Sequence, residues 1–378
     1  MKKVICFLLI ISFFAAGLSL NTAYAEVGTD TSEVLIEATT GQVLYSKNAD
    51  RKLPMASVTK EMALLLWAEM LERSELSLDE NVKASSYASS AEGSVIWLRA
   101  GEEMTAAELL EAVIISSAND ACIALAEHTA GSEAQFVKAM NARASELGMK
   151  NTHYTGCVGY DNEGHYSTAY DIALCTAELM KHEVYRGWML TWLDYLRGGE
   201  TQLVNTNKLV RSYEGMLGGK TGTTDAAGCC LAACAQRGDM RLVAVALGCE
   251  DDDARFSAAE ELLDYGFGSF EKYTPEYDPA ALVPIKVERG TADFVEPRIA
   301  RTGETCVIKK GKAAAVKSEY TFVEKLEAPV KKGQFVGEYL VTLDGEEVFR
   351  SEIVAADDVK RMDFFKFLAL ILTELIRM

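Results

Sequence analysis

Ser57-Val58-Thr59-Lys60 runs directly into Glu61-Met62-Ala63-Leu64-Leu65-Leu66-Trp67-Ala68-Glu69-Met70-Leu71, an unbroken helical pattern. The pattern predicts that Ser57 sits at a helix N-terminus, where backbone N–H groups and the helix dipole favour a developing oxyanion. Lys60 then lies one turn along, beside it. A serine hydroxyl attacks a carbonyl poorly unless a base takes its proton, and a lysine serves as that base only if burial and nearby positive charge lower its pKa. Taken alone, the tetrapeptide reads as readily as a plain N-cap serine. Ser followed three residues later by Lys arises by chance about once or twice in a chain of this length. Ser269-Phe270-Glu271-Lys272 is a second instance here.

Two further stretches decide between these readings. Ser117-Ala118-Asn119 follows an apolar helical run at 109–115 and can present a hydroxyl and an amide to a cleft. Leu217-Gly218-Gly219-Lys220-Thr221-Gly222-Thr223-Thr224 has glycines on both sides of Lys220, which let a strand edge approach a ligand closely. An extended ligand can add to such an edge through backbone hydrogen bonds. Lys220, with the hydroxyls of Thr221 and Thr223, then suits a terminal carboxylate, and its charge is the one that depresses Lys60. No Ser-x-Asn follows Ser269, so that instance fails the ordering test.

At 378 residues the chain exceeds one ordinary core, so two domains are expected. Proline marks the boundary: Pro54 alone precedes residue 270, whereas Pro275, Pro279, Pro284, Pro297 and Pro329 follow. Before that boundary, helical patterns at 62–71, 106–127 and 133–147 alternate with β-like runs at 34–36, 43–46 and 242–248. The class is α/β (α+β). After it, short runs at 282–287, 305–308, 335–343 and 348–354 are separated by Gly, Pro and Asp-Gly turns, and Asp344-Gly345 is a hairpin signal. The expected organisation is a signal peptide at 1–25, a main domain at 26–272, a small all-β domain at 278–356 and a C-terminal amphipathic helix at 360–378.

The signal peptide rests on Lys2 and Lys3, an apolar run at 4–20 and the small residues of Ala23-Tyr24-Ala25. Its loss takes the formal charge from −18 to −20, which disfavours nucleic acid as a partner. The tail places Lys360, Asp363, Lys366, Glu374 and Arg377 on one arc against Phe364, Phe365, Phe367, Leu368, Ile371, Leu372, Leu375 and Ile376. It is marginal as a membrane span and suits the interface plane, or a helix docked on its own protein. Of nine cysteines Cys6 leaves with the signal peptide, and the other eight form no Cys-x-x-Cys pair. Cys229, Cys230 and Cys234 lie in an Ala- and Leu-rich stretch and read as small buried thiols.

Ser-x-x-Lys, Ser-x-Asn and Lys-Thr-Gly, in this order and 60 and 103 residues apart, resemble the signature of the low-molecular-mass penicillin-binding proteins. These are serine D-alanyl-D-alanine carboxypeptidases, grouped with the serine β-lactamases. Glu37-Ala38-Thr39-Thr40-Gly41-Gln42-Val43-Leu44, Asn151-Thr152-His153 and Gly164-His165-Tyr166-Ser167-Thr168-Ala169-Tyr170-Asp171 look like further family segments. The resemblance implies a β-lactamase/transpeptidase-like domain with helices packed on an antiparallel sheet, followed by the β-rich domain and an anchor helix. It implies Ser57 as nucleophile, Lys60 as general base, Ser117 and Asn119 as the second catalytic element, and Lys220, Thr221, Gly222 and Thr223 as substrate-binding residues. The amides of Ser57 and Thr223 form the implied oxyanion hole. The implied partners are peptidoglycan stem peptides ending in D-Ala-D-Ala, β-lactams as covalent inhibitors, and the outer face of the cytoplasmic membrane. No metal or organic cofactor is implied.

Two departures concern substrate preference and acyl-enzyme lifetime: Thr155-Gly156-Cys157-Val158-Gly159 lacks the Asn-Pro that often follows Asn-Thr-His, and Thr223 stands where relatives often carry an aromatic or His. The nearest alternative, a class A β-lactamase, needs a Glu-x-x-Leu-Asn segment before Lys220, and none occurs. A non-catalytic β-lactam sensor or wall-binding protein that acylates once and signals is disfavoured, because the sequence shows neither several spanning helices nor a cytoplasmic signalling domain. Gly-x-Ser-x-Gly is absent, and His128, His153, His165 and His182 form neither His-Glu-x-x-His nor a clustered ligand set. His165 reads as a residue that orders a loop, since Lys60 fills the base role.

Overall fold

The computed structural model describes residues 31–363. The expected signal peptide and all of the expected tail helix beyond 363 lie outside that span. Strands β1 (Ser32–Glu37) and β2 (Val43–Lys47) open the chain as an antiparallel hairpin. A 3-10 turn at Ala56–Thr59 then feeds α1 (Lys60–Glu72), and β3 (Asn81–Lys83) and β4 (Glu103–Thr105) form a small ribbon. Helices α2 (Ala106–Ile115), α3 (Asn119–Ala130), α4 (Glu133–Glu146), α5 (Ala169–Leu179) and α6 (Arg186–Leu190) follow. A second ribbon, β5 (Leu193–Leu196) with β6 (Thr201–Val204), and the short α7 (Leu209–Ser212) lead to β7 (Met216–Thr224), β8 (Gly228–Arg237) and β9 (Met240–Cys249).

The main sheet has the order β2-β1-β9-β8-β7, antiparallel throughout, so β7 is an open edge. Side chains alternate across a strand. On β8, Cys230, Ala232 and Cys234 therefore face the helical layer, while Leu231, Ala233 and Ala235 face the opposite side. That side is covered by α8 (Asp252–Ser269), whose Phe256, Ala259, Leu262, Leu263 and Phe267 are buried. The expected fold of helices packed on an antiparallel sheet is the observed one.

Two expectations about the main domain are corrected. The periodic run at 106–127 is two helices, because Ser117 takes a left-handed φ of 62° and the Ala118 N–H returns to Ala112 O at 3.1 Å. β8 carries little β propensity, with Ala and Cys at most positions, and was expected only as a buried stretch. Its central place in the sheet, buried on both faces, overrides propensity.

β10 (Phe270–Tyr273) pairs with the later β14 (Cys306–Lys309) and joins the two halves. The C-terminal half holds a three-stranded sheet of β11 (Ile285–Glu288), β12 (Phe294–Val295) and β16 (Leu326–Glu327). Beside it lies a four-stranded sheet of β13 (Pro297–Ile299), β15 (Val316–Phe322), β17 (Phe335–Leu343) and β18 (Glu346–Ala355). Asp344 and Gly345 both have positive φ, 53° and 89°, as a two-residue hairpin turn requires. Residues 360–363 are extended rather than helical: Thr291 N–H donates to Lys360 O at 2.8 Å, Met362 N–H donates to Arg289 O at 2.9 Å, and Arg361 bridges Gly290. Backbone pairing to this domain claims them, so the tail boundary expected at 360 was set too early. Among the described residues no helix is long and apolar enough to cross a membrane.

Candidate active site

A cavity of about 310 Å³ lies between the β7 edge and the helical layer, lined by Ser57, Ser117, Asn119, Thr221, Gly222 and Thr223 among others. Three segments distant in sequence thus meet at one place. Ser57 stands on the 3-10 turn before α1, preceded by Ala56 at a left-handed φ of 48°. Positive φ at a non-glycine residue costs free energy, and Ala56 and Ser117 both carry it at this cleft.

Lys60 Nζ lies 2.8 Å from Ser57 Oγ and donates to Val158 O at 3.0 Å. Its side chain is wholly buried, and that burial lowers its pKa from the ordinary 10.5 to about 8, so a free amine forms near neutral pH. Lys220 is also buried, with Nζ donating to Thr221 O at 3.1 Å. Burial first, and the Lys60 ammonium second, hold Lys220 well below the ordinary lysine range. Lys60 thus depresses Lys220, whereas Lys60 itself is lowered by burial rather than by the Lys220 charge the sequence pointed to.

Ser117 Oγ and Asn119 Oδ1 are buried without a hydrogen-bond partner among the described residues. Asn119 Nδ2 is committed to Glu92 O at 2.6 Å, which leaves Oδ1 as the atom facing an incoming donor. Tyr160 closes this side, its hydroxyl donating to Glu92 O at 2.9 Å and accepting from Glu92 N–H at 3.0 Å.

The glycine of the third motif permits close approach. A Cβ on Gly222 would stand 2.8 Å from both Met55 O and Ser57 N. The β7 backbone can therefore lie against the Ser57 amide only with hydrogen at this position. Gly159 plays the same part from the other side: at φ 93°, a Cβ there would stand 1.9 Å from Ala56 O.

His165 orders this corner. Thr155 N–H donates to His165 Nδ1 at 3.0 Å, so Nδ1 is an acceptor and Nε2 carries the proton. Nε2 then donates to Thr59 Oγ1 at 2.8 Å, and Thr59 Oγ1 donates to Ala56 O at 2.7 Å. Burial holds the His165 pKa down to about 4, so the neutral tautomer persists.

The sequence reading missed Arg255, which lies in α8 and lines the cavity. Its Nη1 donates to Gly222 O at 2.9 Å, to Thr223 Oγ1 at 2.9 Å and to Cys230 O at 3.3 Å, and its Nη2 pairs with Asp252. It was also silent on Thr206, whose Oγ1 accepts from Thr221 Oγ1 at 2.7 Å. Neither belongs to a local motif. The alternative serine, Ser269, ends α8, and its lysine, Lys272, pairs with Glu37 at 3.1 Å instead.

Comparison with known proteins identifies the family. Residues 21–251 match the family model described as D-alanyl-D-alanine carboxypeptidase, and residues 275–361 match the C-terminal domain of penicillin-binding protein 5. The D-alanyl-D-alanine carboxypeptidase DacF of Bacillus subtilis is 40% identical over 89% of this chain and 87% of its own length. DacC of Escherichia coli is 35% identical over 88% and 84%. The crystal structure of penicillin binding protein 5 from Haemophilus influenzae superposes with a TM-score of 0.79 at 29% identity, covering 87% of this chain and 97% of that one. With a serine and a buried lysine in contact at the focus of the matched region, the chain belongs to the D-alanyl-D-alanine carboxypeptidases, the low-molecular-mass penicillin-binding proteins.

Proposed function

We propose that Ser57 is the nucleophile through which this carboxypeptidase removes the terminal D-alanine from peptidoglycan pentapeptide stems, in the course of cell-wall maturation. The observation that carries the assignment is the 2.8 Å contact between Ser57 Oγ and a lysine whose burial frees its amine near neutral pH. Lys60 takes the hydroxyl proton as Ser57 Oγ attacks the penultimate carbonyl carbon. Negative charge on the carbonyl oxygen is met by the amides of Ser57 and Thr223. The carbon–nitrogen bond breaks, the leaving D-alanine amine receives a proton relayed through Ser117, and water hydrolyses the ester.

Lys220, Thr221 and Thr223 hold the substrate carboxylate, and Asn119 Oδ1 accepts from a substrate N–H. Arg255 holds Thr223 in place and adds positive charge to the same end. A β-lactam, with a carboxylate and a strained amide in the same relation, acylates Ser57 as an inhibitor. No step requires a cofactor. The signal peptide at 1–25 directs export, and the apolar residues 364–376 attach the enzyme to the outer face of the cytoplasmic membrane, facing the cell wall. Both rest on sequence pattern.

Labelling with a fluorescent penicillin followed by peptide mapping tests the scheme: the adduct is expected on Ser57, and Ser57→Ala abolishes it together with D-alanine release. An adduct elsewhere, or D-alanine release by Ser57→Ala, removes the assignment. Deletion of 364–378 should shift the protein from the membrane to the soluble fraction, and its retention on the membrane contradicts the anchor.

A further inference from the structure

Four consecutive residues, Val158 to Asp161, touch all three motif segments around the cavity. Val158 O accepts from Lys60 Nζ at 3.0 Å, and the Gly159 backbone lies so close to Ala56 O that a Cβ would stand 1.9 Å from it. Tyr160 Oη accepts from Asn119 Nδ2 at 3.4 Å and bonds both backbone groups of Glu92. Asp161 carries the series to the third segment. Its Oδ1 accepts from Thr224 Oγ1 at 2.6 Å, and its Oδ2 accepts from Ala226 N–H at 3.2 Å. Thr224 ends β7, and Ala226 lies in the turn to β8. Asp161 has no place in the scheme above.

β7 is an edge of the sheet, so its backbone is laddered to β8 on one side alone. Its last two pairs, Thr223 with Cys229 and Thr224 with Gly228, run into the turn, where a ladder frays most easily. The amide assigned to the oxyanion hole is that of Thr223, next to Thr224. Arg255 fixes the Thr223 side chain from α8. Asp161 fixes the following residue from the loop that leads to α5, so the end of β7 is gripped by two different elements. That same loop supplies the carbonyl that orients Lys60, which ties base and oxyanion amide into one frame. Both bonds of the clasp are exposed, so water competes for them and the fold loses little stability without them. What they set is position.

We propose that Asp161 is a positioning residue for acyl transfer: it clasps the β7–β8 turn and so holds the Thr223 amide in register with Ser57 and Lys60. The inference rests on the roles given above to those three residues. Asp161 itself touches no reacting atom and takes no proton. Substrate capture is set further back on β7, where Lys220 and Thr221 are braced by the middle of the ladder and by Thr206. Loss of the clasp therefore slows bond formation and leaves capture in place. Removing an oxyanion donor outright costs about 10²–10³-fold, so a donor kept but loosened should cost about tenfold.

The test is the rate at which a fluorescent penicillin labels Ser57 over a range of concentrations, for wild type, Asp161→Ala, Asp161→Asn, Thr224→Val and the Asp161→Ala/Thr224→Val pair, with a thermal melt of each. In Asp161→Ala the limiting rate constant should fall about tenfold, while the half-saturating concentration stays within about twofold. Asp161→Asn keeps an amide oxygen that accepts one of the two bonds, and its rate should stay within about threefold of wild type. Thr224→Val also loses the bond from Ala227 N–H to Thr224 Oγ1 at 3.1 Å, so it should slow acylation at least as much as Asp161→Ala. Because both residues act through one clasp, Asp161→Ala should cost less in the Thr224→Val background than alone. A limiting rate in Asp161→Ala within about threefold of wild type, or a change confined to the half-saturating concentration, overturns the proposal. Fully additive losses in the pair overturn it as well. A variant that merely folds less well would show a smaller labelled fraction at an unchanged rate, which counts equally against it. Failure of the Ser57 scheme would be distinguishable, because wild type itself would then carry no penicillin on Ser57.

Discussion

At the scale of single residues, the site is built by side chains that are costly to bury and by hydrogens that stand where a Cβ cannot. Glu61 shows the first. In the folded chain its carboxyl keeps its proton up to about pH 8, whereas an ordinary glutamate releases it near 4.5. A raised folded-state pKa means that the stabilising contribution is complete below the unfolded value and is lost as pH rises towards the folded one. Each unit of difference corresponds to about 1.4 kcal/mol. Glu61→Gln should therefore be more stable than wild type at pH 8, and the difference should shrink towards pH 5. Thermal melts should show the Tm gap widening by at least about 3 °C between those pH values. Equal gaps at both would show that the carboxyl is not protonated by folding. Gly159 shows the second. Gly159→Ala must push residue 159 away from Ala56 O, which disturbs both the turn bearing Ser57 and the Val158 carbonyl that holds Lys60. Displacement of reacting groups by about 1 Å costs on the order of 10²-fold, so the rate of penicillin acylation should fall by about that factor. A wild-type rate would mean that the contact relaxes without moving Ser57.

At the scale of elements, what was legible in the sequence followed local rules. Ser57 and Lys60 could be placed because three-residue spacing on a helical pattern fixes a shared face. Lys220 could be placed because glycines flank it at a strand edge. The Asp344-Gly345 hairpin obeyed turn chemistry, and both residues have the positive φ it demands. The misses have a common cause. β8 reads as an Ala and Cys stretch whose strand identity comes from two buried faces, a tertiary fact that no window of sequence contains. The break between α2 and α3 is invisible to periodicity, because the apolar pattern continues through it while Ser117 turns the backbone left-handed. Arg255 is the clearest case: it sits in α8 on the far side of the sheet and reaches past β8 to Gly222 O and Thr223 Oγ1. Its planar fork holds Gly222 O and Thr223 Oγ1 through Nη1 and Asp252 through Nη2, a geometry that lysine cannot reproduce. Arg255→Lys should therefore raise KM for carboxylate-terminated peptides by about tenfold while leaving kcat within about threefold, consistent with a charge-assisted bond of roughly 1.5–3 kcal/mol. A fall in kcat with KM unchanged would instead place Arg255 in the transition state alone.

At the scale of the whole molecule, the two halves are joined through the turn between β1 and β2. Gln42 forms a two-way amide pair with Val307 of β14, Nε2 donating to Val307 O and Val307 N–H donating to Oε1, both at 2.9 Å. Glu37 is fully buried; its Oε2 accepts from the N–H groups of Thr39 and Thr40 at 2.9 and 2.7 Å, and its Oε1 pairs with Lys272 at 3.1 Å. Val307 itself belongs to the core under α8. The junction therefore shares a buried ion pair, a paired amide and part of a hydrophobic core, and cooperative unfolding of both halves follows. Removing one member of a buried ion pair leaves the other uncompensated and typically costs about 3–5 kcal/mol. Wild type should unfold in one calorimetric transition. Glu37→Ala combined with Gln42→Ala should resolve it into two, while Ser57 still takes up penicillin at 25 °C, because neither residue lines the cavity that holds it. A single transition with unchanged Tm in the double variant would mean that the β10–β14 pairing and the shared core alone couple the halves.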